Sequence, residues 1–290
     1  MLWKWQGDEF TDVLSKNQLM MTENKVIIIT GASSGIGKAL VYEYANRGAK
    51  IVMAARNLEK LKEIKTELSK KNVESIAVKT DVTEETECEN LINIALTHFE
   101  KIDILINNAG ISMRAIFNDL DLNVIKNLMD VNFWGTVYCT KYAMPHLLKT
   151  KGSLVGVISI AGYLGLPARS GYSASKFAVR GFMDTLRVEN LKTGLHVLVV
   201  APGFTASNIR NNALKNDGSQ QGKSPRDEAN MMSAEEVAYR TAKAIDKRKA
   251  ELILTFIEGK LSVFLKKFFP RLIEKLTYNH MAKEPNSPLK

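Results

Sequence analysis

Residues 25–37 read KVIIITGASSGIG, and this stretch decides the fold. Its first half, 25–30, is a β-branched apolar run. A parallel strand covered on both faces looks like this, since it has no solvent side and need not alternate. Its second half spaces glycines as G-x-x-x-G-x-G at Gly31, Gly35 and Gly37, rather than the more common G-x-G-x-x-G. Glycines let the backbone turn sharply and approach a pyrophosphate, and the N-terminus of the next helix adds N–H donors and partial positive charge. A tight strand–helix turn alone also needs glycine. Position favours dinucleotide binding: the turn follows the first strand of a βαβ unit, where ligands bind in open α/β sheets.

Outward from it, short apolar runs alternate with longer amphipathic ones. Strands are expected at 50–55, 75–81, 102–107, 154–159, 195–201 and 252–256, and helices at 38–47, 58–71, 84–99, 124–148, 173–191 and 234–245. Repeated βα units predict an α/β fold, a doubly wound parallel seven-stranded sheet with helices on both faces and a C-terminal helical extension. The organisation expected is an N-terminal extension at 1–24, disordered before the first strand, a Rossmann-like domain at 25–258, and a basic amphipathic tail at 259–290. The polar stretch 204–232 reads as a long loop over a ligand site.

The 290 residues are 45% apolar and 24% charged, enough for one large core. No run reaches the ~20 apolar residues of a membrane span, and 1–20 lack a signal peptide's apolar core. A cytoplasmic protein is the expectation. Cys88 and Cys139 are isolated, and His98, His146, His196 and His280 are scattered, so no disulfide framework and no metal site is predicted. The formal charge of +9 is spread along the chain without a nucleic-acid module, which argues against nucleic acid as partner and suits a dinucleotide phosphate or an anionic surface.

The end of the second strand bears on which dinucleotide. NAD sites usually place Asp or Glu there, whereas this chain has Ala54-Ala55-Arg56. Arg56 offers a guanidinium to a 2′-phosphate, favouring NADP(H) over NAD(H); a surface arginine opening the next helix is the other reading.

Tyr172-Ser173-Ala174-Ser175-Lys176 puts Tyr172 and Lys176 on one helix face. A phenol ionises near ~10, and lowering that by three units takes roughly 4 kcal/mol of differential stabilisation, which a neighbouring ammonium favours. Such a pair is by itself usually a solvated helix face. Ser159 closes the fifth strand, where its hydroxyl either holds a substrate oxygen or caps a turn. Asn132 is a polar residue in a largely apolar helix, and its amide needs a partner or a task. Asn107-Asn108-Ala109-Gly110 and Pro202-Gly203 close the fourth and sixth strands.

With these motifs in order from residue 25 to about 256, the chain resembles the tyrosine-dependent short-chain dehydrogenase/reductases, a family with one Rossmann domain. The resemblance implies that Gly31, Ser33, Ser34, Gly35, Ile36 and Gly37 hold the pyrophosphate and adjoining ribose. It implies Asp81 and Val82 against the adenine, and Asn108, Ala109 and Gly110 along the adenosine side. Tyr172 would be the general acid/base, Ser159 would position the substrate oxygen, and Lys176 would bond the nicotinamide ribose and tune Tyr172. Asn132 would support a water-linked proton relay, and Pro202, Gly203 and Thr205 would contact the nicotinamide end. Ser112-Met113-Arg114, Leu186-Arg187-Val188-Glu189 and Ser207-Asn208-Ile209-Arg210 resemble the branch of microsomal hydroxysteroid and retinoid enzymes, which carry an N-terminal anchor not read in this chain.

The function expected is hydride transfer between NADP(H) and a lipophilic carbonyl or alcohol, by a homo-oligomer. A non-catalytic NADP(H)-binding sensor and a membrane-surface interaction protein are the alternatives. The last rests on the tail. Leu261, Phe264, Leu265 and Phe268, then Phe269, Leu272, Ile273 and Leu276 beyond Pro270, form helical apolar stripes flanked by Lys260, Lys266, Lys267, Arg271 and Lys275. Such helices lie on anionic membranes, giving peripheral contact, or cover a core, a cleft or a second subunit.

Overall fold

The structure, a computed structural model, describes residues 22–224 and 231–289. The expectation for residues 1–21 lies outside the described residues. Seven parallel strands run β1 (Val26–Thr30), β2 (Lys50–Ala55), β3 (Ser75–Lys79), β4 (Ile104–Asn107), β5 (Ser153–Val157), β6 (His196–Ala201) and β7 (Glu251–Ile253), and lie side by side in the order β3-β2-β1-β4-β5-β6-β7. Between them run α1 (Gly35–Ala45), α2 (Leu58–Ser69), α3 (Glu85–Phe99), α4 (Leu122–Met129), α5 (Gly135–Thr150), α6 (Ser170–Glu189) and α7 (Ala234–Asp246), followed by α8 (Ser262–Lys266) and α9 (Pro270–Ala282).

All five residues of β1 are buried, which is why the run does not alternate. Val26 and Ile28 face the core layer shared with α3 and α5 through Leu91, Ile92, Cys139 and Leu147. Ile27 and Ile29 face the opposite layer, against Leu40 and Tyr44 of α1 and Val237 and Ala238 of α7. The sheet reverses its winding beside β1, where β2 lies on one side and β4 on the other. A crevice opens at such a reversal, outside the carboxyl ends of the strands.

Four differences from the sequence reading bear on the site and the tail. The helix expected over 124–148 is two helices joined by a widened π turn at Asp130–Trp134. Such widening is a common feature of functional sites. Here it accompanies the Asn132 amide, which reaches across to Ile111 and Ser175. The third strand stops at Lys79, so Asp81 lies beyond it, where its carboxylate accepts from the Thr83 amide at 3.1 Å and hydroxyl at 2.9 Å. The fifth strand stops at Val157, leaving Ser159 outside the ladder at the start of a short 3-10 turn, Ile160–Gly162. The last strand is only Glu251–Ile253, and Phe256 begins a wide helical turn.

The expected C-terminal helices form and pack on the body. Ile273 is buried in the core layer beside α3 and α5, with Val263 and Leu265 partly buried against it. Lys266 Nζ donates to the Tyr163 carbonyl at 2.9 Å. Pro270 opens α9, where its missing N–H costs nothing.

Candidate active site

The loop after β1 turns on Gly31, whose φ of +66° lies in the left-handed region that glycine enters freely. A Cβ on Gly37 would meet the Gly31 carbonyl oxygen at 2.2 Å, so the helix can start this close to the turn only without a side chain. Ser34 precedes α1 in extended conformation and its side chain makes no capping bond. The first amides of α1 are therefore left for another acceptor, as a phosphate site needs. Thr30 organises the floor: its hydroxyl accepts from the Asn108 and Ala109 amides, both at 3.0 Å. The Asn108 side chain donates to the Thr30 carbonyl at 2.9 Å, so it braces the glycine turn. The loop is tied sideways by the Ala32 amide donating to Ala54 at the end of β2.

Arg56 follows immediately, exposed, in the bend between β2 and α2. Asn57, not Arg56, caps α2 by accepting from the Lys60 amide at 3.0 Å. Val82 is buried and packs so closely on Gly135 that a Cβ there would lie 2.7 Å from it.

The catalytic candidates converge at the carboxyl ends of β4, β5 and β6. Tyr172, Ser159, Lys176, Asn108, Gly110 and Pro202 line one cavity of about 130 Å³. An open groove of about 690 Å³ lies between α1 and α7, but none of these residues borders it, so the chemistry belongs to the smaller cavity. Tyr172 sits in the first turns of α6 and is 8% exposed. Burial pushes its phenol up from the ordinary value, while a hydrogen bond from Ser159 and the charges of Arg169 and Arg210 pull it down. Ser159 also caps the turn, one of the two parts expected of it: its oxygen accepts from the Ala161 amide at 3.2 Å.

Lys176 lies one turn further along α6, with Nζ 5.9 Å from the centre of the Tyr172 ring and donating to the Val157 carbonyl at 3.0 Å. Burial lowers it to about 8. The cations acting on the Tyr172 phenol are Arg169, which the sequence reading passed over, and Arg210, which it named only within a family resemblance. Asn132 is 1% exposed and its amide is fully used. Its oxygen accepts from the Ile111 amide at 2.8 Å, and its nitrogen donates to the Ile111 carbonyl at 3.0 Å and the Ser175 hydroxyl at 2.8 Å. It thereby clamps the segment after β4 to α6. Asn132 Oδ1 and Lys176 Nζ flank Gly110, lying 3.1 and 3.2 Å from where its Cβ would stand. Gly203 likewise admits Thr255, whose hydroxyl would lie 2.7 Å from a Cβ, and Thr205 is buried with its hydroxyl donating to the Gly203 carbonyl at 3.3 Å.

Glu284, from the segment after α9, borders the same cavity. Nothing in its local sequence marks it, since it reads as one more charge in a charged tail. Among the described residues no group of three His, Cys, Asp or Glu could hold a metal ion.

The short chain dehydrogenase family model matches residues 25–218. The 11-beta-hydroxysteroid dehydrogenase 1A of Arabidopsis thaliana is 40% identical over 204 residues, 69% of this chain and 56% of that relative, so this chain spans little more than half of the plant protein's length. Dehydrogenase/reductase SDR family member 7B of Mus musculus is 33% identical over 269 residues, 91% of this chain and 83% of the relative. Among solved structures, an alcohol dehydrogenase from the archaeon Thermococcus sibiricus, complexed with 5-hydroxy-NADP, superposes with a TM-score of 0.70 at 25% identity, covering 79% of this chain and 94% of that one. A short chain dehydrogenase/reductase from Burkholderia phymatum in complex with NAD shares the fold at a TM-score of 0.73 and 23% identity, over 92% and 98% of the two chains. The chain belongs to the short-chain dehydrogenase family of oxidoreductases.

Proposed function

We propose that the chain transfers a hydride between NADP(H) and the carbonyl or alcohol carbon of a lipophilic substrate, with Tyr172 as general acid/base. The observation that carries this reading is the meeting of Tyr172, Ser159 and Lys176 in one cavity. A non-catalytic sensor would need the glycine turn but has no use for a serine bonded to a buried phenol.

The cradle fits a dinucleotide, because uncapped amides open α1, and Gly31 and Gly37 let the turn pack this closely on residues 108–109 and on itself. Residues 31 and 33–37 would hold the pyrophosphate and its ribose, Asp81 and Val82 the adenine, and residues 108–110 the adenosine side. Lys176 would bond the nicotinamide ribose, and Pro202, Gly203 and Thr205 would border the ring. When bound, the nicotinamide supplies the hydride for reduction or takes it up in oxidation. Tyr172 does the proton work. Its raised phenol keeps its proton at neutral pH and donates it to a carbonyl oxygen that Ser159 orients. Arg56 supports NADP(H), and so does the 5-hydroxy-NADP of the archaeal relative. The hydroxysteroid in the plant relative's name supports a steroid-like alcohol or ketone as the substrate class.

The test is NADPH oxidation against ketones and aldehydes of graded size and lipophilicity. Turnover of at least one lipophilic ketone, faster with NADPH than with NADH, is expected. Failure across the whole panel in both directions, with dinucleotide binding intact, would favour the sensor.

A peripheral membrane contact belongs to the same proposal. Of the apolar stripes in the tail, Leu265 and Ile273 face the body, but Phe264, Phe268, Phe269, Leu272 and Leu276 are at least half exposed. Phe256 and Ile257 extend this surface at 70% exposure each, and Lys260, Lys267, Arg271 and Lys275 are exposed among them. No described helix is long and apolar enough to cross a membrane. Each large side chain buried in lipid contributes roughly 1.5–3 kcal/mol, and basic residues add attraction to anionic headgroups. The protein should co-sediment with phosphatidylserine vesicles at low salt. The Phe268→Glu, Phe269→Glu double variant should stay in solution. A wild-type protein that stays in solution at low salt would refute the contact.

A further inference from the structure

The cleft that holds Tyr172 has a wall from the far end of the chain. Glu284 is 5% exposed, although charged side chains are almost never buried without a partner. Its Oε2 lies 3.4 Å from Arg114 Nε and 3.8 Å from Arg169 Nη2, both guanidiniums being themselves at most 10% exposed. Arg114 also donates to the Pro285 carbonyl at 2.8 Å. Residues 281–289 form a compact knot around this point. The Ser287 hydroxyl donates to the Met281 carbonyl at 3.0 Å, its amide donates to Glu284 at 3.1 Å, and Tyr278 reaches the Leu289 carbonyl at 3.3 Å. The His280 ring lies 5.9 Å from Phe204, which borders the cavity too. Arg114 and Arg169 stand in different loops of the main fold, while Glu284 and Pro285 stand in the tail. The ion pairs therefore fasten one unit onto the other across the mouth of the cleft.

One magnitude bears on what this fastening does. With the knot in place the cavity measures about 130 Å³, whereas sites for drug-sized ligands run about 300–1,000 Å³. A space this small leaves no room for a polycyclic substrate while the knot is in place. The wall that bounds it is held by buried ion pairs from a separate segment of the chain.

We propose that Glu284, seated on Arg114 and Arg169, is a specificity-determining latch that sets the size of substrate admitted to Tyr172. Small carbonyl compounds react with residues 281–289 in place. Bulky ones enter only when the latch releases, so part of their binding energy is spent opening it and KM rises with size. The inference rests on the reductase reading of the site, and amide exchange, which requires no turnover, separates the failure of one from the failure of the other.

The experiment uses the full chain with Glu284→Gln, which keeps the shape and removes the charge, and with Arg114→Gln, which loosens the same pair from the other side. Steady-state kinetics compare a monocyclic with a tetracyclic ketone, and hydrogen exchange follows the amides of residues 281–289. In both variants the ratio of kcat/KM for the tetracyclic over the monocyclic ketone should rise at least five-fold, through a lower KM for the larger compound. Exchange across residues 281–289 should quicken at least ten-fold. An unchanged or reduced ratio overturns the latch, as does a kcat loss of equal size on both ketones, which would make Glu284 a contact of the reacting groups. Unchanged exchange in both variants overturns it whether or not a ketone is turned over. If Glu284→Gln does not fold, Arg114→Gln decides by the same criteria.

Discussion

Tyr172→Phe lowers turnover by about two to four orders of magnitude and leaves NADPH affinity within two-fold of the wild type. The size follows from what the substitution removes. Phenylalanine keeps the ring that fills this buried position and deletes only the hydroxyl, so packing is retained while the proton donor is lost. The Ser159 hydroxyl keeps its capping bond to Ala161 and on the proposed reading would still orient a carbonyl oxygen, leaving residual rather than zero activity. The pH dependence carries the same assignment. Burial raises the Tyr172 phenol, so it stays protonated through neutral pH and reduction runs at a plateau there. Reduction falls as pH rises through that raised value, and oxidation, which needs the phenolate as base, climbs over the same interval. Lys176 loses its proton in a lower window, around pH 8. A limb near 8 that survives in Tyr172→Phe belongs to Lys176, and a higher limb that vanishes belongs to Tyr172. Stopped-flow binding and steady-state rates on one ketone check both halves. Turnover in the variant within ten-fold of wild type would remove Tyr172 from the chemistry.

The parts of this molecule legible in sequence are those fixed by neighbours along the chain. Residues 25–30 announce a buried parallel strand because burial on both faces abolishes alternation, and the structure buries all of Val26–Thr30. Gly31 and Gly37 are legible because a left-handed turn and a 2.2 Å approach each exclude a side chain. Tyr172 and Lys176 share a helix turn, so spacing alone puts them together. The parts that were not legible depend on contacts between distant segments. The π turn at Asp130–Trp134 has no proline to mark it, and it accompanies bonds from Asn132 to Ile111 and Ser175, which no local pattern reveals. Arg210 acts on the phenol from a separate loop and Glu284 arrives from the end of the chain, whereas Arg169, the residue before α6, is near Tyr172 in sequence and only its reach to the phenol was not legible. Thr30 was overlooked because a strand-ending threonine is ordinary; only the geometry shows its hydroxyl accepting two amides. In the tail, periodicity gave the stripes but not the side each residue takes, and the stripe divides between Ile273 on the body and Leu272 outside.

Arg56→Asp should raise the dissociation constant for NADPH by ten- to a hundred-fold or so, the ~1.5–3 kcal/mol of a hydrogen bond to a charged group, and should tighten NADH. The reasoning begins at the sheet. β2 pairs with β1 along its whole length, and the Ala32 amide bonds to Ala54, so the end of β2 stands beside the glycine turn. A ribose following a pyrophosphate on that turn would reach the residues just after Ala55, and the first of these is Arg56. Because Asn57 supplies the cap of α2, Arg56 is not required for the helix to start. Its side chain is exposed, and among the described residues no hydrogen bond or ion pair engages it. Its removal should accordingly leave thermal stability within a degree or two, as surface substitutions usually do. Aspartate there repels a 2′-phosphate and accepts from a 2′-hydroxyl, so both cofactors respond and in opposite directions. The salt dependence gives an independent check. Attraction between an exposed guanidinium and a phosphate weakens as ionic strength rises, so NADPH binding to the wild type should fall with salt more steeply than NADH binding does. In the variant that difference should disappear. A wild type that already binds NADH more tightly, or a variant whose preference does not move, would assign Arg56 to the surface and leave the 2′-phosphate without a partner at this strand end.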